Sequence, residues 1–360
     1  MTILQKTIKK IPMIDYKCIS DAQERLDNLT KPQGSFGRLE EIAKQVCGIT
    51  RKKNPYLDKK IIFTLAADHG VTEEGVSAYP KDVTEQMVYN FLRGGAGINV
   101  LARHIGARVV VVDMGVAGKI RSTKHEARNF REKKINYGTR NFLKEPAMTR
   151  EEAEESIETG IDIFNNEYKK GIDIVGIGEM GIGNTTASSA ITACVTGCVV
   201  EEVTGRGTGV SDDGLIKKIS VIKRALSLRA PKTDDAIDIL SKVGGFEIGG
   251  MAGIILAAAA KRVPVMLDGF ISGAAALIAY KLEPKSKDYM LASHSSVERG
   301  HKVILKYLDL KPILELDLRL GEGTGAALGI NLAEASVKIM IEMATFKKAG
   351  VSERVEELKS

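Results

Sequence analysis

Ile172–Thr186, IDIVGIGEMGIGNTT, reads as a buried strand that passes through a glycine-rich turn into a helix. The β-branched run Ile172–Ile177 supplies the strand, and the Thr/Ala/Ser stretch from Thr185 to Val195 has helical length. The turn carries a carboxylate, Glu179. A second turn of the same kind, Leu318–Leu328, LRLGEGTGAAL, carries Glu322. Glycines allow positive φ and close backbone approach, so such loops can aim several N–H groups at one anion. A glutamate facing that anion would repel it. Two turns that each follow a glycine with a glutamate therefore point to acid/base chemistry beside a phosphate.

The same alternation extends in both directions. Short apolar runs occur at Ile61–Ala66, Arg108–Asp113, Val263–Asp268 and Ile313–Leu318, with amphipathic or Ala-rich stretches of helical length between them at Thr84–His104, Arg150–Lys170, Ile248–Arg262 and Gly269–Tyr280. Strands alternating with helices predict an α/β fold with a mostly parallel sheet flanked by helices. In such folds ligands bind where strands end and lead into helices. The loops Ala66–Gly70, Gly176–Asn184, Asp268–Phe270, Ser293–Ser296 and Gly321–Thr324 all fall there. The ends differ: Asp21–Leu29, Gly37–Gly48 and Thr324–Ala349 read as helices that pack together as a small unit.

Composition narrows the function. The 360 residues carry 52 basic and 46 acidic side chains without a long single-sign block, and only 5% aromatics with no Trp, so no nucleic-acid platform is expected. Cys18, Cys47, Cys194 and Cys198 are too scattered for a disulfide scaffold and read as buried thiols in a reducing, cytoplasmic setting. Cys194 and Cys198, four apart, could share a helical face. The N-terminus lacks a signal-peptide pattern, and the longest apolar run, Ile248–Ala260, is too short to span a membrane.

Several residues admit two readings. Gly176–Gly181 is a literal G-x-G-x-x-G with Glu201 and Glu202 beyond it, as in dinucleotide sites, but Glu179 lies where a pyrophosphate should. A mononucleotide phosphate at Gly181–Thr186 suits the charges better. Glu322 could be a helix-start acid or, near apolar walls, a general base with a raised pKa. Lys218 could meet a phosphate, although a solvated helix lysine is the default. Asp68 with His69 lacks a second histidine at ligand spacing, so no metal is expected. Ser293, His294 and Ser296 lack the glycine elbow of a serine hydrolase.

Taken in order, Thr30–Glu40 (TKPQGSFGRLE), Ala67–Val71 (ADHGV), Gly178–Gly181 with Asn184–Thr186, Leu240–Phe246 (LSKVGGF), Leu267–Phe270 (LDGF), Ser293-His294 and Arg319–Gly323 (RLGEG) resemble the nicotinate-nucleotide:5,6-dimethylbenzimidazole phosphoribosyltransferases of cobalamin biosynthesis, over about residues 20–340. The resemblance implies transfer of phosphoribosyl from nicotinate mononucleotide to a benzimidazole-type base, with inversion at the anomeric carbon and no cofactor. It implies a Rossmann-like large domain at 36–323, a small helical domain from 1–35 and 324–360, and a homodimer. Glu322 becomes the general base and Glu179 a secondary acid. Substrate contacts are expected from Gly178, Gly181, Asn184, Thr185, Lys218, Asp268, Ser293, Ser296, Arg319, Leu320 and Gly321. Tyr79, Met87 and Met180 are expected to line the base pocket. The family pattern has Ser and Gln where this chain has Tyr79 and Met87, so adenine, phenolic compounds and other benzimidazoles stay open as acceptors.

Overall fold

A computed structural model describes residues 1–123 and 126–352. Among them six strands form one all-parallel sheet: β1 (Lys60–Ala67), β2 (Arg108–Gly115), β3 (Phe130–Glu132), β4 (Ile174–Met180), β5 (Val265–Leu267) and β6 (Met290–Ala292). Their order is β3-β2-β1-β4-β5-β6. Helices cover both faces, so β1 and β2 are apolar on both sides and read as continuous hydrophobic runs. The chain moves outward from β1 in one direction and then returns to place β4 on its other side. The carboxyl ends of β1 and β4 thus flank the switch point where open α/β sheets bind ligands.

Packing explains the Gly/Ala-rich helix Phe246–Ala260, which is buried almost throughout. It lies in backbone contact with Arg150–Tyr168: a Cβ added at Gly160 would stand 2.0 Å from the Gly250 carbonyl oxygen, and one at Gly253 2.0 Å from that of Ile157. This helix belongs to the core, and no helix of the described residues is long and apolar enough to cross a membrane.

Several expectations change. Ile313–Leu318 alternates like a strand but forms only one bridge, His294 with Leu314, and the sixth strand is Met290–Ala292. Thr84–His104 breaks at Gly94-Gly95 into Val83–Arg93 and Gly97–His104. The terminal helix stops at Glu342, before a separate turn at Phe346–Ala349. Gly176, Gly178 and Glu179 lie within β4, so the G-x-G-x-x-G run is mostly strand and not a phosphate turn. Glu201 and Glu202 are exposed, and Glu201 pairs with Lys223. Only Cys47 is buried outright, and Cys198 lies past the helix that holds Cys194, which ends at Thr196.

The chain divides into two units. The first comprises Met1–Met13 and Lys59–Ile330, the second Ile14–Asp58 and the chain from Asn331 on. These boundaries replace 35/36 and 323/324. The first thirteen residues belong with the sheet because the Leu4 amide donates to Glu158 Oε1 at 2.9 Å and the Tyr289 hydroxyl to the Pro12 carbonyl at 2.9 Å. The second unit is helical, with Ala22, Leu26, Leu29, Ala43, Cys47 and Met340 at its centre. Its Arg25 guanidinium donates to the carbonyls of Met340 and Met343 at 3.1 and 2.9 Å, satisfying carbonyls at the end of Thr324–Glu342.

Candidate active site

Three buried acids meet at the carboxyl edge of the sheet. Glu322 sits between Gly321 and Gly323, and all three have positive φ, +82°, +64° and +97° in order. A glutamate held in the left-handed region costs roughly 1–2 kcal/mol, which the surroundings must supply. They do so on both sides of the switch point. Thr64 Oγ1 of β1 donates to the Glu322 carbonyl at 2.9 Å, while Gly178 of β4 has no room for a side chain, since a Cβ there would lie 2.2 Å from the Gly323 nitrogen. The loop is laid across both strands.

The Glu322 carboxylate points to the start of the helix Gly97–His104, where Oε2 accepts the Ile98 amide at 3.1 Å. Burial raises its pKa, and the Ile98 and Gly97 amides oppose the rise. Glu179, 7% exposed, takes a hydrogen bond from the Asn184 side chain, and a Cβ on Gly321 would stand 2.3 Å from its Oε1. Burial, with the charges of Asp268 and Glu247 near it, pushes its pKa well up.

Asp268 acts on the loop itself. Its Oδ2 accepts the Gly323 amide at 3.0 Å, and its Oδ1 accepts those of Gly325 and Ala326 at 2.7 and 3.2 Å. These amides include orphan donors at the start of the helix Thr324–Glu342, whose dipole favours a carboxylate there. Burial still wins over the amides and lifts the Asp268 pKa to about 7. Both Asp268 oxygens are engaged by the backbone, which gives it a positioning role in addition to its place on the wall of the neighbouring cleft.

The acids contrast with Glu167 on the helix Arg150–Tyr168. Glu167 is also desolvated, yet Arg131, Arg108 and Lys170 hydrogen-bond to it and hold its pKa at about 2. None of Glu179, Asp268 and Glu322 has an ion-pair partner among the described residues. Uncompensated carboxyls clustered in this way mark a place for proton transfer more than one for structural pairing.

A cleft opens beside them, lined among others by Glu179, Met180, Gly181, Asn184, Thr185, Asp268, Ser296, Arg319, Leu320 and Gly321. Lys218 stands behind this wall at 1% exposure, so it is not the solvated lysine of the default reading. Its ammonium donates to Thr185 Oγ1 at 2.7 Å and to the Gly205 carbonyl at 3.4 Å. Burial lowers its pKa to about 8, and the Glu298 charge opposes that fall. Beside it, Asn184 and Thr185 begin the helix Asn184–Thr196, whose N-terminus favours an anion.

Other sequence candidates lie elsewhere. Glu322 and Gly178 are not among the residues that line the cleft, although their chain neighbours Gly321 and Glu179 are. Ser293 is fully buried and its hydroxyl donates to the Asp268 carbonyl at 3.1 Å, so it is no substrate contact and no nucleophile. Tyr79 is 54% exposed and Met87 half-buried on Val83–Arg93; neither lines the cleft, but their neighbours touch it, the Ala78 amide donating to Thr208 Oγ1 at 3.3 Å and the Ile182 amide to Thr84 Oγ1 at 3.1 Å. His69 is not poised for metal: its Nε2 meets Glu247 Oε1 at 2.8 Å with both side chains sealed from solvent. Glu247 and Glu298 gave no local signal in the sequence, because the groups they meet are 178 and 91 positions away.

Gly178→Ala tests the seating of the loop. The added methyl is expected to cost about 1–3 kcal/mol of stability by overpacking, and to lower turnover because it displaces Glu322. Thermal unfolding together with turnover checks this; wild-type values for both would mean that the loop yields freely.

Raised-pKa carboxyls beside a sequestered amine and a helix N-terminus, all at the switch point of a parallel sheet, define an α/β enzyme acting on a small anionic ligand. Comparison with known proteins is in accord. A family model described as phosphoribosyltransferase matches residues 11–351. The nicotinate-nucleotide–dimethylbenzimidazole phosphoribosyltransferase of Chloroflexus aggregans is 55% identical over 99% of this chain and 100% of its own. The protein of that name from Desulforamulus reducens is 56% identical over 98% and 99%. The crystal structure of CobT from Thermus thermophilus superposes with a TM-score of 0.90 at 42% identity, covering 94% of this chain and 100% of that one. The chain belongs to this phosphoribosyltransferase family.

Proposed function

We propose that the protein transfers phosphoribosyl from nicotinate mononucleotide to 5,6-dimethylbenzimidazole or a related azole, with inversion at the anomeric carbon. The observation that carries this reading is Glu322, an uncompensated buried carboxylate whose backbone is forced into place at the mouth of the sheet. The bond from the anomeric carbon to the pyridinium nitrogen breaks, and its electron pair returns to the nicotinate ring. The anomeric carbon passes through an oxocarbenium-like state, as in glycoside transfer. One azole nitrogen attacks the opposite face, and the proton on the other nitrogen passes to Glu322. Alignment of the two substrates supplies much of the rate. The cleft residues Gly181, Asn184, Thr185 and Ser296, with Lys218 behind them, serve the phosphate; Met180, Leu320 and Gly321, on the same wall, serve the base. A homodimer, measurable by light scattering, completes the reading.

The test is direct. Protein mixed with nicotinate mononucleotide and dimethylbenzimidazole should release nicotinate and form the α-riboside phosphate, resolved by chromatography and mass spectrometry across a panel of azoles, adenine and phenols. No release with any acceptor would overturn the proposal.

Lys218 gives a pH-dependent corollary. The cation binds phosphate, and the proton leaves at about pH 8 in the free protein. Affinity for the mononucleotide should therefore fall as pH rises through that value, while affinity for the riboside without its phosphate should not. Lys218→Met should weaken the mononucleotide roughly 10- to 100-fold, as loss of a charged hydrogen bond does, and leave the riboside unchanged. Equal effects on both ligands in a calorimetric titration would remove Lys218 from the phosphate site.

A further inference from the structure

A hydrogen-bond relay behind the cleft fixes the protonation of one more group. Ser293 Oγ donates to the Asp268 main-chain oxygen at 3.1 Å, and a hydroxyl has one proton to give. The 3.0 Å contact between Ser293 Oγ and His294 Nδ1 must then run the other way, with Nδ1–H donating. His294 Nε2 consequently carries a lone pair. Burial keeps the ring neutral, with a pKa of about 4.

The ring is 3% exposed and lines the cleft, and its Cε1–Nε2 edge faces Gly269, where a Cβ would stand 3.5 and 3.6 Å from those two atoms. Among the described residues no protein donor meets this nitrogen. Several competing acceptors in the cleft are engaged, but not all of them. Asp268 holds three amides and Glu179 holds Asn184. Glu298 Oε1 holds the Gly207 amide at 3.0 Å, while its Oε2, beside Gly205, has no hydrogen-bond partner among the described residues; as a carboxylate oxygen next to the proposed phosphate position it is a poorer neighbour for the sugar than a neutral imidazole. Nε2 is open to the cleft, so a ligand that covers it must supply a donor or leave the acceptor unmet.

We propose that His294 Nε2 accepts a hydrogen bond from a sugar hydroxyl of the bound ribosyl phosphate, and thereby selects ribose over deoxyribose. This rests on the phosphoribosyl reading above. Of the parts of nicotinate mononucleotide, the ring presents C–H groups and its carboxylate and phosphate are acceptors at neutral pH; only the ribose offers O–H donors. His294 also lies two residues from Ser296, on the same cleft wall. His294 is a specificity residue in this scheme and takes no proton from the reaction.

The test compares nicotinate mononucleotide with its 2′-deoxy and 3′-deoxy analogues by calorimetry. Wild-type protein should bind one analogue roughly 10- to 100-fold more weakly than the parent, the penalty of an unmet buried acceptor. His294→Phe should bind parent and that analogue alike, and His294→Gln, whose amide oxygen can reach near the Nε2 position, should restore part of the preference. Thermal unfolding of each variant establishes that it is folded. Wild-type protein that binds both analogues as tightly as the parent overturns the proposal, whatever the variants do. So does a folded His294→Phe protein that keeps the wild-type penalty. Sugar discrimination without nicotinate release would sink the transferase reading and leave His294 standing; release without discrimination does the opposite.

Discussion

Glu322→Gln is expected to lower turnover about 10²- to 10⁴-fold, the usual worth of a positioned general base, while binding of nicotinate mononucleotide stays close to wild type. Glutamine keeps the shape of the side chain, and its oxygen can still accept the Ile98 amide that Glu322 Oε2 takes at 3.1 Å. What it loses is the ability to remove a proton. The pH profile supplies a second reading of the same variant. Burial raises the Glu322 pKa, and the base form exists above that pKa. The wild-type rate should therefore fall as pH drops through it, and the variant should lack that acid limb. Steady-state kinetics over pH, paired with calorimetric binding, separate the two effects. A Glu322→Gln protein within a few-fold of wild type would take the proton-transfer role away from this residue.

Asp268→Ala should be the most damaging change to both stability and activity. Three backbone amides, of Gly323, Gly325 and Ala326, lose their acceptor at once in a buried place. Each unmet donor costs about 1–3 kcal/mol. Relaxation of the loop will return part of that, so a loss of roughly 3–5 kcal/mol is expected against a typical total of about 5–15 kcal/mol. Turnover should fall by about 10²-fold or more, because the segment that carries Glu322 is no longer fixed. Asp268→Asn should be milder in stability, since one side-chain oxygen remains. Denaturant unfolding and turnover measured on the same samples test the coupling. If Asp268→Ala unfolds early yet turns over normally below its transition, the aspartate supports the fold alone.

The sequence announced its sheet where hydrophobic runs were long. β1 and β2 were legible because helices on both faces bury seven of the eight positions in each, which are filled mostly by apolar residues. β3 and β6 were not, since three residues such as Met290-Leu291-Ala292 carry no periodicity to detect. Ile313–Leu318 misled for the opposite reason: its alternation is that of a strand, but it finds a bridge partner only at His294. Gly176 and Gly178 looked like a turn because glycine disfavours strands, and a long-range requirement overrode that preference. Gly178 is bare so that Gly323 can lie on it.

The site was legible to a similar depth. Glu322 and Glu179 stood out by their glycine neighbours, and the ordered motifs pointed to the family that the comparisons bear out. Lys218 resembled any helix lysine until Thr185, 33 positions away, was seen to hold it. The duty of Asp268 depends on amides more than fifty residues further along. Such partnerships leave no mark on local composition.

The bond between Thr64 and the Glu322 carbonyl joins positions 258 apart, so the proposed base is among the last parts of the sheet unit to leave the ribosome. A nascent or prematurely terminated chain can pair its first strands and still hold no base. Closing so long a loop is the kind of distant contact that slows folding, and the proposed base is in place only where that contact has formed.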